Sequence, residues 1–181
     1  AIGDPHFKTS NIPEVELFLS RIETLAIQHT PDIIVILGDV LHEHERLHTT
    51  PLNKAYEFVK KMSKIAFTYV IVGNHDLINN QQFLTINHWM NAMKDWPNVQ
   101  VVDDIITHNS DFIFCPYVPP GRFVEALETE IKDWSSYKAI FCHQEFYGCK
   151  MGAIQSEEGD KWDTEHPDII SGHIHSNQTL D

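Results

Sequence analysis

The chain has 181 residues, 42% of them hydrophobic and 22% charged, a balance suited to one globular domain with a sizeable core. It carries 26 acidic against 13 basic residues, a formal charge of −13, which disfavours a nucleic-acid-binding surface over most of the molecule. No apolar run approaches the ~20 residues needed to cross a bilayer.

Strand and helix signals alternate along the chain. Ile2-Gly3 reads as the end of a first strand, and Pro13 opens a helix with Val15, Phe18, Leu19, Ile22, Leu25 and Ala26 on one face. Asp32 to Leu37 is an almost wholly apolar run, the pattern of a strand covered on both faces. After a polar loop, Thr50-Pro51 reads as an N-cap and first turn, and Leu52, Ala55, Val59, Met62 and Ala66 continue that helix. Thr68 to Val72 is the next strand. The spacing of Phe83, Ile86, Met90 and Met93 predicts a helix over about Gln81 to Lys94. Val99 to Val102, Ile105 to Thr107 and Phe112 to Cys115 read as strands, the last two joined by a turn at His108 to Asp111. Pro119-Pro120-Gly121 precedes a helix running to about Lys132, and Lys138 to Cys142 and Asp168 to Ser171 complete the strands. Between these two, Gln144 to Pro167 reads as a long functional loop, with Phe146, Tyr147 and Lys150 as groove-lining residues, Gly148 and Gly152 as hinge or close-approach positions, and Trp162 as a base-stacking candidate. The alternation makes the chain α/β, with a largely parallel or mixed sheet over one domain, residues 1–181.

Cys115, Cys142 and Cys149 form no C-x-x-C pair and read as reduced, buried thiols in a cytoplasmic setting. The chain opens and closes inside apparent elements, which reads as an internal fragment of a longer protein. A partner-binding or dimerising segment would then lie outside it.

Five of the 12 histidines fall in five short motifs that run in one order. These are Asp4-Pro5-His6, Gly38-Asp39, Gly73-Asn74-His75-Asp76, His143, and Gly172-His173-Ile174-His175. Each follows an apolar strand, and in open α/β sheets ligands collect beyond the carboxyl ends of strands. Five strand ends therefore bring their polar residues to one edge. Carboxylate, amide and imidazole donors without thiolate suit divalent manganese, iron or zinc and argue against a structural zinc cage. Alternation in Asp4-Pro5-His6 and His173-Ile174-His175 places each pair on one side of an extended backbone. Asp39, alone on a central strand end, is the natural bridge between two cations. His29, His88, His108 and His166 read as surface or satisfied core residues, and His44 and His48 as solvated loop residues.

The ordered set D-x-H, G-D, G-N-H-D, H, G-H-x-H resembles the calcineurin-like metallophosphoesterase superfamily, from position 4 to 175. The resemblance implies a β-sandwich of mixed sheets flanked by helices. It implies two divalent metal ions, manganese first, with iron or zinc as alternatives. Asp4, His6 and His175 would hold one ion, Asn74, His143 and His173 the other, and Asp39 would bridge them. His75 would contact the phosphate or protonate the leaving oxygen, with Asp76 orienting its ring. The expected reaction is in-line attack of a metal-bridging hydroxide on a phosphodiester. His42, three residues after Asp39, resembles the DNA double-strand-break-repair nucleases of the SbcD type. That implies a DNA substrate and a second acid or phosphate-orienting role for His42. A small-molecule or nucleotide phosphodiesterase or phosphomonoesterase is the alternative enzyme, and a non-catalytic protein-binding scaffold the alternative of another class.

Overall fold

The computed structural model describes residues 1–180. Two sheets face each other. The first is parallel, in the order β1 (Ile33–Ile36), β2 (Phe67–Ile71), β3 (Val99–Val102). Isolated parallel bridges, Ile2 to Ile36 and Phe7 to Leu41, run the N-terminal segment alongside β1. The second sheet follows the order β4 (Ile106–His108), β5 (Phe112–Cys115), β6 (Ala139–His143) and β9 (Asp168–Gly172). Only its β4–β5 hairpin is antiparallel.

Period-2 alternation divides every central strand between two cores. Val35, Leu37, Tyr69, Ile71, Val102 and Phe114 pack with Phe112, Phe141 and Ile170 between the sheets. Tyr69 and Phe114 stack there at 4.1 Å between ring centroids. The opposite faces meet helices. Ile34, Ile36, Val70 and Val101 pack on α1 (Ile12–His29) and α2 (Thr49–Ser63) through Leu19, Phe58, Val59 and Met62. Ile113, Cys115, Ile140 and Cys142 pack on α3 (Phe123–Glu130) through Phe123, Ala126 and Leu127. The result is the expected β-sandwich of mixed sheets flanked by helices. All three cysteines are free and buried, and no helix among the described residues is long and apolar enough to cross a membrane.

Several local expectations change. Leu25 is 48% exposed, so the buried stripe of α1 is narrower than the spacing implied. The N-cap of α2 is His48, with Thr50 and Pro51 inside the first turn. Proline costs nothing there, because the first N–H groups of a helix have no intrahelical partner. Gln81 to Lys94 is not a helix. Only Trp89–Met93 forms a 3-10 turn, and Ile86 is 68% exposed. Polar side chains compete with the helix here. Asn79 Oδ1 accepts from Gln81 N, Thr85 Oγ1 accepts from Asn87 N, and Asn91 Nδ2 donates to the Ile86 and His88 carbonyls. His88, with its side chain fully buried, accepts from Met90 N and lies 3.0 Å from Asp103.

The Gln144 to Pro167 segment is tied down rather than loose. It contains a hairpin, β7 (Lys150–Met151) with β8 (Ile154–Gln155). Asp160 accepts from Gly121 N and Phe123 N at the start of α3. Trp162 packs against Phe123, Trp134 and Phe146 and donates to the Pro167 carbonyl, so it is a core residue and not a base-stacking platform. Phe146 is buried in the same cluster, which removes it from the groove-lining set. Gly148 and Gly152 have φ of 90° and 65°, and no backbone approaches either; they serve left-handed turn positions.

Candidate metal centre

All five motifs sit at carboxyl ends of strands or just beyond, at one edge of the sandwich. Gly38-Asp39 follows β1, Gly73-Asn74 follows β2, His143 ends β6, and Gly172-His173 ends β9. Asp4 and His6 lie in the N-terminal segment bridged to β1, where His6 N–H donates to the Asp39 carbonyl.

The ligand-type atoms face one another. Asn74 Oδ1 lies 3.0 Å from both His143 Nε2 and His173 Nδ1. His6 Nε2 lies 2.9 Å from His175 Nε2. Asp39 Oδ2 stands between the two groups, 3.4 Å from His6 Nε2 and 3.3 Å from His143 Nε2. Asp39 Oδ1 accepts from His75 N–H at 2.9 Å. Asp4 Oδ1 accepts from His173 N–H and lies 3.4 Å from His143 Nδ1. Asp39, His143 and His173 together offer ligand atoms within 4.8 Å of one another, and so do His6, His42 and His75. An all-oxygen-and-nitrogen donor set converging from two sides on one carboxylate fits two divalent cations.

Two details depart from the sequence reading. The D-x-H and H-x-H pairs are not on extended backbone. Asp4, His6, Asp39 and His173 have φ of 34°, 46°, 48° and 77°. Left-handed φ at non-glycine residues is costly and clusters at functional sites; here it turns the side chains inward. Nor does Asp76 hold the His75 ring. Its carboxylate, buried at 3% exposure, accepts from Gly73 N, Leu41 N and Trp89 Nε1 and so fixes the loop backbone. His75 is oriented instead by the His42 carbonyl, which faces its Nδ1. A carbonyl only accepts, so Nδ1 carries the proton and Nε2 is left for other work.

The glycines of the motifs are required by space. A Cβ on Gly38, whose φ is +98°, would lie 2.6 Å from His143 Nδ1. One on Gly172 would lie 2.8 Å from Asp4 Oδ1, and one on Gly73 would lie 3.0 Å from Asp39 Cγ and closer still to its Oδ1 and N. Gly73→Ala should therefore displace Asp39 or the loop, at about 2–3 kcal/mol. Chemical denaturation of metal-free protein measures this, and a loss under about 0.5 kcal/mol would show that the backbone yields freely.

The electrostatics oppose one another across the centre. Burial disfavours charge on Asp39, but His143 beside it and the His75 N–H hold its carboxyl well below the usual range. Burial likewise opposes charge on His143, yet Asp39 and Asp4 lift it to about 9. Burial and neighbouring imidazoles lower His6 and His173 to about 4. Burial, then the Asp39 charge, raises Asp76 to about 7. His143 Nδ1 lies 2.6 Å from the Leu37 carbonyl, which keeps a proton there and aims Nε2 at Asn74 and Asp39. A cation would displace the second proton, so binding should release protons and strengthen as pH rises.

These shifts set a pH dependence. The unfolded value of His143 is 6.5 and the folded value about 9, so the folded state binds this proton more tightly. That stabilisation is complete below pH 6.5 and is lost as pH rises through 9. Asp76, raised from 3.8 to about 7, acts in the same direction at lower pH. Chelator-treated protein should lose several degrees of Tm between pH 6.5 and 9, and His143→Gln should flatten the slope. A Tm rising across that window would contradict the charge arrangement.

Two further residues join the site: His44, expected as a solvated loop residue, and Tyr117, which no motif marks. His44 stacks on His75 at 4.5 Å and 17°, its Nδ1 3.3 Å from the Leu77 carbonyl. Its spacing two residues beyond His42 was the only signal. Tyr117, 5% exposed, packs its ring 5.7 Å from His173 and 6.2 Å from His143. Burial, then Glu145 and Asp39, push its hydroxyl up to about 12, so it stays neutral.

The calcineurin-like phosphoesterase family model matches residues 1–177, spanning all five motifs. The chain belongs to the calcineurin-like phosphoesterase family. It is 56% identical over 182 aligned positions to "Putative phosphoesterase 244L" of Invertebrate iridescent virus 6, covering 98% of this chain and 64% of that protein. It is 50% identical over 182 positions to "Putative phosphoesterase 078R" of Invertebrate iridescent virus 3, covering 98% of this chain and 52% of that protein. The chain thus spans between about half and two thirds of the length of these relatives.

Proposed function

We propose that residues 1–181 form a single catalytic domain that hydrolyses a phosphodiester at a centre of two divalent cations, with DNA as the favoured polymer. The observation that carries this is Asp39 Oδ2, held within 3.4 Å of histidine nitrogens from both halves of the site. Asp4, His6 and His175 would hold one cation and Asn74, His143 and His173 the other, with Asp39 available to both. The donor set suits manganese, iron or zinc, and manganese is taken first by likeness to the family. Bound there, the cations would lower the pKa of a water between them and offset charge on phosphate oxygens.

The chain's own residues supply orientation and a proton. The Leu37 carbonyl fixes the His143 ring, and Asp76 fixes the turn that carries Asn74 and His75. His75, anchored through its Nδ1–H, presents Nε2 to the leaving oxygen and acts as the acid in its doubly protonated form. His42 Nδ1 lies 3.3 Å from His6 Nδ1, and its ring is nearly parallel to His75 at 5.5 Å and 11°. That places a second imidazole beside the acid and supports the nuclease reading by likeness to SbcD-type enzymes.

The second reading, a nucleotide-sized phosphodiester, is favoured by the charge of −13. Rates on oligonucleotide DNA and on bis-p-nitrophenyl phosphate, with and without manganese, separate the two. If His42→Ala leaves DNA cleavage unchanged, the nuclease reading falls. The scaffold reading gains no support from a site in which all seven ligand-type side chains converge.

A further inference from the structure

A groove of about 400 Å³ opens beside the metal centre, with His75 on its wall. Its apolar lining includes Trp89, the buried Leu77, and Leu47, Ile78 and Ile86, which are 49%, 39% and 68% exposed. Its accessible carboxylates are Glu43 and Glu45, with Asp76 buried in the wall, and no lysine or arginine lines it. Arg46, next to Glu45 in sequence, does not line the groove. Glu43 pairs with His48 at 3.2 Å, and Glu45 has no ion-pair partner among the described residues.

We propose that this groove is the leaving-group subsite and that it takes an uncharged nucleoside, rejecting one that carries a further phosphate. The inference rests on phosphodiester hydrolysis with His75 as the acid, because the group that receives the His75 proton must lie on the His75 side. In that step a water oxygen bonds to phosphorus as the P–O ester bond breaks, and the proton the water loses goes to solvent, from which His75 is reprotonated. The water oxygen stays on the phosphate, and the nucleoside hydroxyl leaves with the proton from His75. The volume suits one nucleoside, near the lower end of small-ligand sites. Three aliphatic side chains offer a flat base something to cover, and two carboxylates accept from its amino groups. The same carboxylates repel a phosphate one nucleotide further on. Within DNA only a terminal nucleoside without a phosphate meets this condition, whereas in a dinucleotide either end can. The acidic wall thus selects strand ends or short substrates over internal positions.

The test compares a dinucleoside monophosphate with the same compound bearing one extra phosphate on its leaving nucleoside, using manganese-loaded protein. The unmodified compound should have a kcat/KM about tenfold higher at low salt, shrinking as ionic strength rises. Glu43→Gln with Glu45→Gln should reduce that ratio to about threefold or less; reading the ratio within one protein cancels any general loss. Equal rates, a preference for the phosphorylated compound, or a ratio unmoved by the double substitution would overturn the subsite. Bis-p-nitrophenyl phosphate is assayed alongside. No hydrolysis of it removes the phosphodiesterase reading itself, whereas hydrolysis without discrimination removes only the subsite.

Discussion

Asp39→Ala should lower manganese-dependent phosphodiester hydrolysis by at least ~10³-fold and reduce bound manganese from two ions to one or none. Loss of a single outer-shell partner of a metal ligand already costs ~10–100-fold, and Asp39 lies within 3.4 Å of a histidine nitrogen from each group. Its Oδ2 faces His6 and His143, while its Oδ1 holds the His75 backbone. Alanine therefore removes the proposed bridging ligand and releases the turn that carries His75, the proposed acid. It also leaves His143, fully buried and held protonated chiefly by Asp39, without its main counter-charge. Metal content by mass spectrometry and turnover of bis-p-nitrophenyl phosphate read both effects. An Asp39→Ala protein with two tightly held ions and near-normal rate would show that the bridge lies elsewhere.

His75→Ala should show an effect that depends on the leaving group. General acid catalysis is worth ~10²–10⁴-fold when the departing oxygen needs a proton. A nucleoside alkoxide needs one; p-nitrophenolate, a weak base, does not. The substitution should thus depress dinucleotide cleavage by ~10²–10⁴-fold and bis-p-nitrophenyl phosphate hydrolysis by about tenfold or less. Equal losses on both substrates would make His75 a phosphate-binding group and not the acid. His44 and His42 both lie parallel to the His75 ring, but only His42 supplies the carbonyl that sets its tautomer. A side-chain substitution at 42 keeps that carbonyl, so His42→Ala should cost less than His75→Ala.

The parts legible in the sequence are those set by burial. Ile33 to Ile36, Phe67 to Ile71 and Ala139 to His143 are covered on both faces, so they appear as short apolar runs. The polar residue ending each run then marks the edge where the site forms. The less legible parts are set by local competition or by distant contacts. Gln81 to Lys94 has helical spacing, but the side chains of Thr85, His88 and Asn91 bond the nearby backbone and break it up. Trp162 sits in a polar segment, yet Phe123 and Trp134, far away in sequence, bury it. The positive φ of Asp4, His6, Asp39 and His173 follows from converging strand ends, which no single motif contains. The motif glycines were visible from the start. Their reason was not, because the atoms they make room for belong to other strands.

Anomalous diffraction from manganese-soaked crystals tests the central claim most directly. Two peaks should appear with the Asp39 carboxylate between them, one beside His6 and His175, the other beside Asn74, His143 and His173. A single peak, no peak, or two peaks that do not share Asp39 would contradict the two-cation centre.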